Sequence, residues 1–108
     1  MNTAKPVTRT EHHLFTYGTL LNPDIQRAVM GRVIAGEPDR LDGYRKASLR
    51  DGHAEFPNLV RDAAASATGR VLTLTEDELQ RTDLYEGSLY QRVEVTLASG
   101  RRAWAYLA

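Results

Sequence analysis

"YQRVEVTLASGRRAWAYL", residues 90–107, decides the fold class. From Tyr90 to Leu97 the side chains alternate, with Val93, Val95 and Leu97 on one face and Arg92, Glu94 and Thr96 on the other. A period of two with one apolar and one polar face is the pattern of a strand in an antiparallel sheet. Ser99-Gly100 supplies a two-residue hairpin turn. Arg102 to Leu107 then pairs back as the last strand.

Upstream of this hairpin, Thr75-Glu76-Asp77-Glu78 fits a capping box, with Thr75 as N-cap and Glu78 at N3. The helix it opens is expected to run to about Leu84. Before it, Gly69 to Leu74 reads as a strand. At the other end of the chain, residues 13–17 form a short first strand. Asn22 caps a helix that begins on Pro23, with Asp24 in its first turn. Ile25, Ala28 and Val29 make its apolar stripe, and Gly31 ends it. Val33-Ile34-Ala35 follows, then a break at Gly36-Glu37-Pro38, then a strand from Leu41 to Leu49. Arg50 to Thr68 has no regular pattern and reads as a long loop, either functional or, around 62–67, a surface insertion. The order β-α-β-β-β-α-β-β, with a hairpin last, predicts an α+β fold: a small mixed, mostly antiparallel β-barrel with two short α-helices.

The chain's 108 residues suit one domain, expected over 13–108 after a flexible N-terminal segment at 1–12. Fourteen basic and fourteen acidic residues cancel, so no basic face for nucleic acid is expected. There is no cysteine, which excludes disulfides and thiol catalysis. His12 and His13 are adjacent on a strand and point to opposite sides, so no metal site is expected, and no cofactor. No apolar run approaches the roughly 20 residues of a membrane helix. The N-terminus has no signal-peptide core, so the cytoplasm is the expected location.

Two stretches exceed what packing requires. In "TYGTLLNPD", residues 16–24, an aromatic residue and a glycine stand between a strand and a helix start. The amides of Gly18, Thr19 and Leu20 can converge there as an anion-binding concavity, with Tyr17 as a wall. Taken alone, Tyr17-Gly18 reads equally well as a turn. In "DLYEGSLYQR", residues 83–92, Glu86 falls at a helix C-terminus, where the helix dipole and desolvation both raise a carboxyl pKa. Such a carboxyl suits acid–base work near neutrality. Taken alone, it is a solvated charge at a helix end.

Together the two stretches resemble the γ-glutamylcyclotransferase-like, or AIG2-like, superfamily. The resemblance rests on Tyr17-Gly18-Thr19-Leu20 and on Asp83-x-Tyr85-Glu86-Gly87-x-x-Tyr90-x-Arg92. Pro57 with Leu59-Val60 is similar to a central "YP-x-L-V" stretch, with Phe56 at the aromatic place. Gly69-x-Val71 is similar to a "GxxY" strand, departing where Leu72 stands, and Thr82 stands where the family usually has Leu. The resemblance spans residues 13–107. It implies a barrel with a cleft at one end, Glu86 as the acid/base, and Tyr17 to Leu20 binding a γ-glutamyl group. Tyr90, on the strand face of Arg92 and Glu94 and four residues after Glu86, is expected to line the cleft and to stay out of the core. The implied reaction is cyclisation of a small-molecule γ-glutamyl amide to 5-oxoproline and a free amine, which needs neither metal nor thiol. The alternative is a non-catalytic module that binds a small carboxylate or a protein partner. The amine half of the substrate and the oligomeric state stay open, since fold does not fix function.

Overall fold

The computed structural model describes residues 11–108. Five strands form one mixed sheet: β1 (Glu11–Thr16), β2 (Glu37–Asp51), β3 (Ala54–Thr75), β4 (Gln91–Thr96) and β5 (Arg102–Leu107). Helix α1 spans Pro23–Met30 and α2 spans Glu76–Glu86. The strand order is β2-β3-β1-β5-β4. All pairings are antiparallel except β1 with β5, which meet in parallel at Leu14 and Trp104. The expected α+β class is what is found, as a curved half-barrel. Its open side is drawn together at one end, where the β4–β5 turn reaches β2. Ala98 N–H donates to the Arg40 carbonyl at 2.8 Å, and the Ser99 hydroxyl donates to Asp39 at 2.6 Å.

Alternation along the strands makes two cores. Phe15, Val71, Ala103 and Ala105 face the inside of the curve, where Leu41, Leu59, Ala67 and Leu97 meet them. Their neighbours Leu14, Leu72, Leu74 and Tyr106 face the other way and are covered by Leu20, Met30 and Leu79. Leu14 is wholly buried, so Leu14→Ala would cost about 2–5 kcal/mol.

The caps form as expected. The Asn22 side chain accepts from Asp24 N–H, and Thr75 and Glu78 exchange both bonds of a capping box. Several expectations are corrected. The α1 stripe is turned by one position: Gln26 and Met30 are buried, Ile25 and Val29 half-buried, and Ala28 exposed. Residues 33–35 are not a strand, because Ile34 N–H is taken by the buried Gln26 side chain at 2.8 Å. Strand β2 begins at Glu37 and includes Pro38, which an edge strand tolerates. The hairpin turn at the end of the chain has three residues, Ala98 to Gly100, between Leu97 N–H and the Arg101 carbonyl. Strand β1 starts at Glu11, so Glu11 and His12 of the expected flexible segment are paired, with Thr75 and Leu74. Residues 1–10 of that segment lie outside the described residues.

The largest correction is at 50–68. These residues are the far part of a long β2–β3 ribbon that turns at Gly52-His53 and pairs Asp51 with Ala54 through Tyr44 with Arg61. Asp62 to Ala65 then bulge opposite Gly43, and pairing resumes at Asp42 and Ser66.

Candidate active site

Three segments meet at one end of the half-barrel. The first is the exit of β1. Tyr17 stacks on Phe15, with ring centroids 6.5 Å apart, and its hydroxyl donates to the Tyr106 carbonyl at 2.6 Å. Thr19–Leu21 form a single 3₁₀ turn, closed by Leu21 N–H to the Gly18 carbonyl and Asn22 N–H to the Thr19 carbonyl. The first amides of a helical turn have no partner within it. Among the described residues, those of Gly18, Thr19 and Leu20 make no such turn bond. Leu20 is buried, and its carbonyl accepts from Gln26, so the turn is pinned from below.

The second segment is the ribbon, which brings Pro57 against Gly18. Gly18 has φ −139°, an ordinary value, so a left-handed turn is not what requires a glycine. A Cβ there would lie 3.0 Å from both Cβ and Cγ of Pro57. Close approach is the reason.

The third is the end of α2. The helix runs two residues past Leu84, and Glu86 is its last residue. Gly87 ends it at φ +66°, a region disfavoured for side-chain-bearing residues, and open space surrounds its Cα. A second 3₁₀ turn, Gly87–Leu89, delivers Tyr90, which precedes β4. Tyr90 packs partly on the outer core, while its hydroxyl donates to the Pro57 carbonyl at 2.6 Å.

These segments enclose a cavity of about 30 Å³ lined by Tyr17, Gly18, Thr19, Pro57, Glu86, Tyr90 and Tyr106, among others. It adjoins an outer chamber of about 340 Å³, which shares Thr19, Pro57, Glu86 and Tyr90 and adds Glu55, Phe56, Tyr85 and Leu89. All six residues singled out from the sequence are therefore gathered in one place. Burial pushes the Glu86 carboxyl up to about 7. Among the described residues it has no hydrogen-bond or ion-pair partner, so desolvation acts on it unopposed. A carboxyl poised there can exchange a proton at neutral pH.

Sequence reasoning missed Tyr106. It lies on β5, and its hydroxyl donates to Asp83 at 2.5 Å. Asp83 also accepts two bonds from Arg92, at 2.9 and 3.2 Å, and the guanidinium sits over Trp104, 4.2 Å from the ring centroid. The Asp83 and Arg92 of the motif are thus the supports of a tyrosine. Burial, then the bond to Asp83, pushes the Tyr106 phenol up. Tyr17 and Tyr90 are also pushed up, chiefly by burial. Among the described residues no three His, Asp or Glu side chains converge as metal ligands would. None of the described helices is long and apolar enough to cross a membrane.

Comparison with known proteins gives the family and the fold. The sequence profile of the family described as "Gamma-glutamyl cyclotransferase, AIG2-like" matches residues 14–108. The chain belongs to that family. Among its curated AIG2-like relatives is Protein AIG2 C of Arabidopsis thaliana, 32% identical over 85 residues, which are 78% of this chain and 50% of the relative. AIG2-like protein B of the same plant is also 32% identical, over 78% of this chain and 48% of its own length. The chain thus spans about half the length of these AIG2-like relatives. A solution structure of an Arabidopsis thaliana protein superposes with a TM-score of 0.77 at 25% identity, covering 99% of this chain and 66% of that one. A structure described as a gamma-glutamyl cyclotransferase superposes with a TM-score of 0.71 at 16% identity, covering 91% and 66%, which shows the shared fold.

Proposed function

We propose that this protein cyclises γ-glutamyl amides, releasing 5-oxoproline and a free amine. One observation carries the proposal: a carboxyl pushed to about 7 shares a cavity with a strand-end loop whose amides are free of turn bonds. The nucleophile is the substrate's own α-amine, already tethered to its target, so the protein must orient it and move protons. Glu86 takes a proton from the α-ammonium. The nitrogen forms a bond to the γ-carbonyl carbon, and the electron pair moves onto oxygen. As the tetrahedral centre collapses, the bond to the leaving amine breaks. Glu86 returns the proton to that amine, then takes the second proton from the ring nitrogen, which leaves the lactam with its single N–H, and the departing amine carries that proton away as its ammonium. The amides of Gly18, Thr19 and Leu20 hold the α-carboxylate or the developing oxyanion. The amine half occupies the outer chamber, against Phe56, Pro57 and Leu89 of the lining.

The test is incubation with a panel of γ-glutamyl amides and assay for 5-oxoproline, in the wild type and in Glu86→Gln. Gln keeps the shape but cannot take the proton, so turnover should fall about 10²–10⁴-fold. Wild-type turnover retained by Glu86→Gln removes the assigned role. Binding of glutarate without any 5-oxoproline formation would reassign the site to ligand capture.

A further inference from the structure

The three tyrosines of the inner cavity share a property that their positions alone do not reveal. A phenol has one proton to donate and lone pairs to accept with. Tyr17 donates its proton to the Tyr106 carbonyl, Tyr90 to the Pro57 carbonyl, and Tyr106 to the Asp83 carboxylate. None of these acceptors carries a proton to return: two are backbone carbonyls, and the third is a carboxylate already held by Arg92. The three hydroxyls can therefore present only lone pairs to a ligand. Each also lies within electrostatic reach of Glu86, whose charge helps to raise all three phenols. The cavity is thereby divided. Its donors are the amides of the Gly18 loop, and the tyrosine oxygens and Glu86 are acceptors.

We propose that Tyr17, Tyr90 and Tyr106 form, with Glu86, an ammonium subsite that captures the substrate's α-amino group and aims it. The inference rests on the γ-glutamyl reading above. An α-ammonium has three N–H bonds. Glu86 takes the proton from one, and the three tyrosine oxygens accept from the two that remain, one N–H being shared between two phenols. With both N–H bonds held, the freed lone pair has one direction left, toward the γ-carbonyl carbon. The α-carboxylate meanwhile lies against the loop amides, which fixes the handedness of the bound glutamyl group. A substrate blocked at the α-nitrogen has lost both its nucleophile and the donors this subsite receives.

Glutamate and glutarate test the subsite, because they differ only in the α-ammonium and neither is turned over. Calorimetric titration of the wild type should show glutamate binding about 10-fold or more tighter than glutarate, as a hydrogen-bonded charge requires. Tyr17→Phe, Tyr90→Phe and Tyr106→Phe should each weaken glutamate about 5–10-fold and leave glutarate within about twofold. A tyrosine that only packs would, when changed, weaken both ligands equally, and that result overturns the proposal. Equal affinity of the wild type for the two ligands overturns it without any variant. So does a wild type that binds neither. Because the readout is binding, failure here is distinct from failure to form 5-oxoproline, which bears on the reaction itself. Should Tyr106→Phe not fold without its bond to Asp83, Tyr90→Phe, which gives up only the Pro57 carbonyl, decides the matter alone.

Discussion

Glu86→Gln should make the protein more stable, and more so as pH rises. In the unfolded chain the Glu86 carboxyl ionises near its ordinary value of 4.5, and in the folded state near 7. Below 4.5 both states hold the proton and the group is indifferent. Between 4.5 and 7 the unfolded chain sheds a proton that the folded one keeps, so rising pH favours unfolding. Above 7 the folded protein carries a desolvated carboxylate and the penalty is complete. At about 1.4 kcal/mol per pH unit the displacement sets a ceiling of about 3 kcal/mol. The pocket is half-open, and water screening brings the figure to about 1–2 kcal/mol. For a domain of this size that is about 5–10 °C in Tm. The assay is thermal unfolding by circular dichroism, wild type against Glu86→Gln, at about pH 4 and about pH 8. Subtracting the low-pH difference removes the packing effect of the amide. A stability difference that stays flat between the two pH values would refute the claim that burial raises this carboxyl.

The same displacement sets the pH profile: kcat/KM should climb through about pH 7 as Glu86 loses its proton, and a rate independent of pH there contradicts a general base. Gly18→Val places a branched side chain against Pro57, where a Cβ alone already lies at 3.0 Å, so glutarate affinity should fall about 10-fold or more while the dichroism spectrum is kept. Unchanged affinity would reduce the loop to a turn. Glu78 is held at about 2, chiefly by its hydrogen bond from Arg32, so its contribution is present above 4.5 and lost as pH falls toward 2. Glu78→Gln should remove about 2 kcal/mol at neutral pH, discounted for the exposure of Arg32, and flatten acid unfolding in that window. The outer chamber is lined by the carboxylates of Glu55 and Glu86 and, among the described residues, by no Lys or Arg. A γ-glutamyl propylamide should therefore exceed γ-glutamyl-α-aminobutyrate, the same amine bearing a carboxylate, about 10-fold in kcat/KM. A reversed preference would show that the amine half lies elsewhere.

What was legible in the sequence is what is encoded locally. The Asn22 cap and the Thr75–Glu78 capping box each lie within a few residues and formed as written. The Tyr17 loop was found from an aromatic residue and a glycine set between a strand and the Asn22 cap, Glu86 from its place at the end of the helix that Thr75 caps, and the two were joined by the family resemblance. The ribbon was not legible. Ser66 and Ala67 have little strand propensity, and their partners, Asp42 and Leu41, are β2 residues far away in sequence, so pairing overrides preference there, while Asp62 to Ala65 are carried along as a bulge. The need for Gly18 was legible but its cause was not, because the ring it must avoid belongs to Pro57. Tyr106 reads as one more inward or outward position of a strand. Only its contact with Asp83, 23 residues away, sets it apart.

The β2–β3 ribbon separates two jobs that evolution can then alter independently. Glu55, Phe56 and Pro57 wall the outer chamber, and beyond Tyr44, among the described residues, the ribbon's strands pair only with each other. Glu86 and the Tyr17 loop come from other parts of the chain. Mutations along residues 50–56 can thus reshape the outer chamber, the space the proposed reaction gives to the amine, while Glu86 and the Tyr17 loop stay in place. Pro57 is the exception, since Gly18 and Tyr90 both lean on it. If the proposed cyclisation holds, a chimera that exchanges the ribbon tip and keeps Pro57 should change the amine preference and leave the rate-setting groups in place.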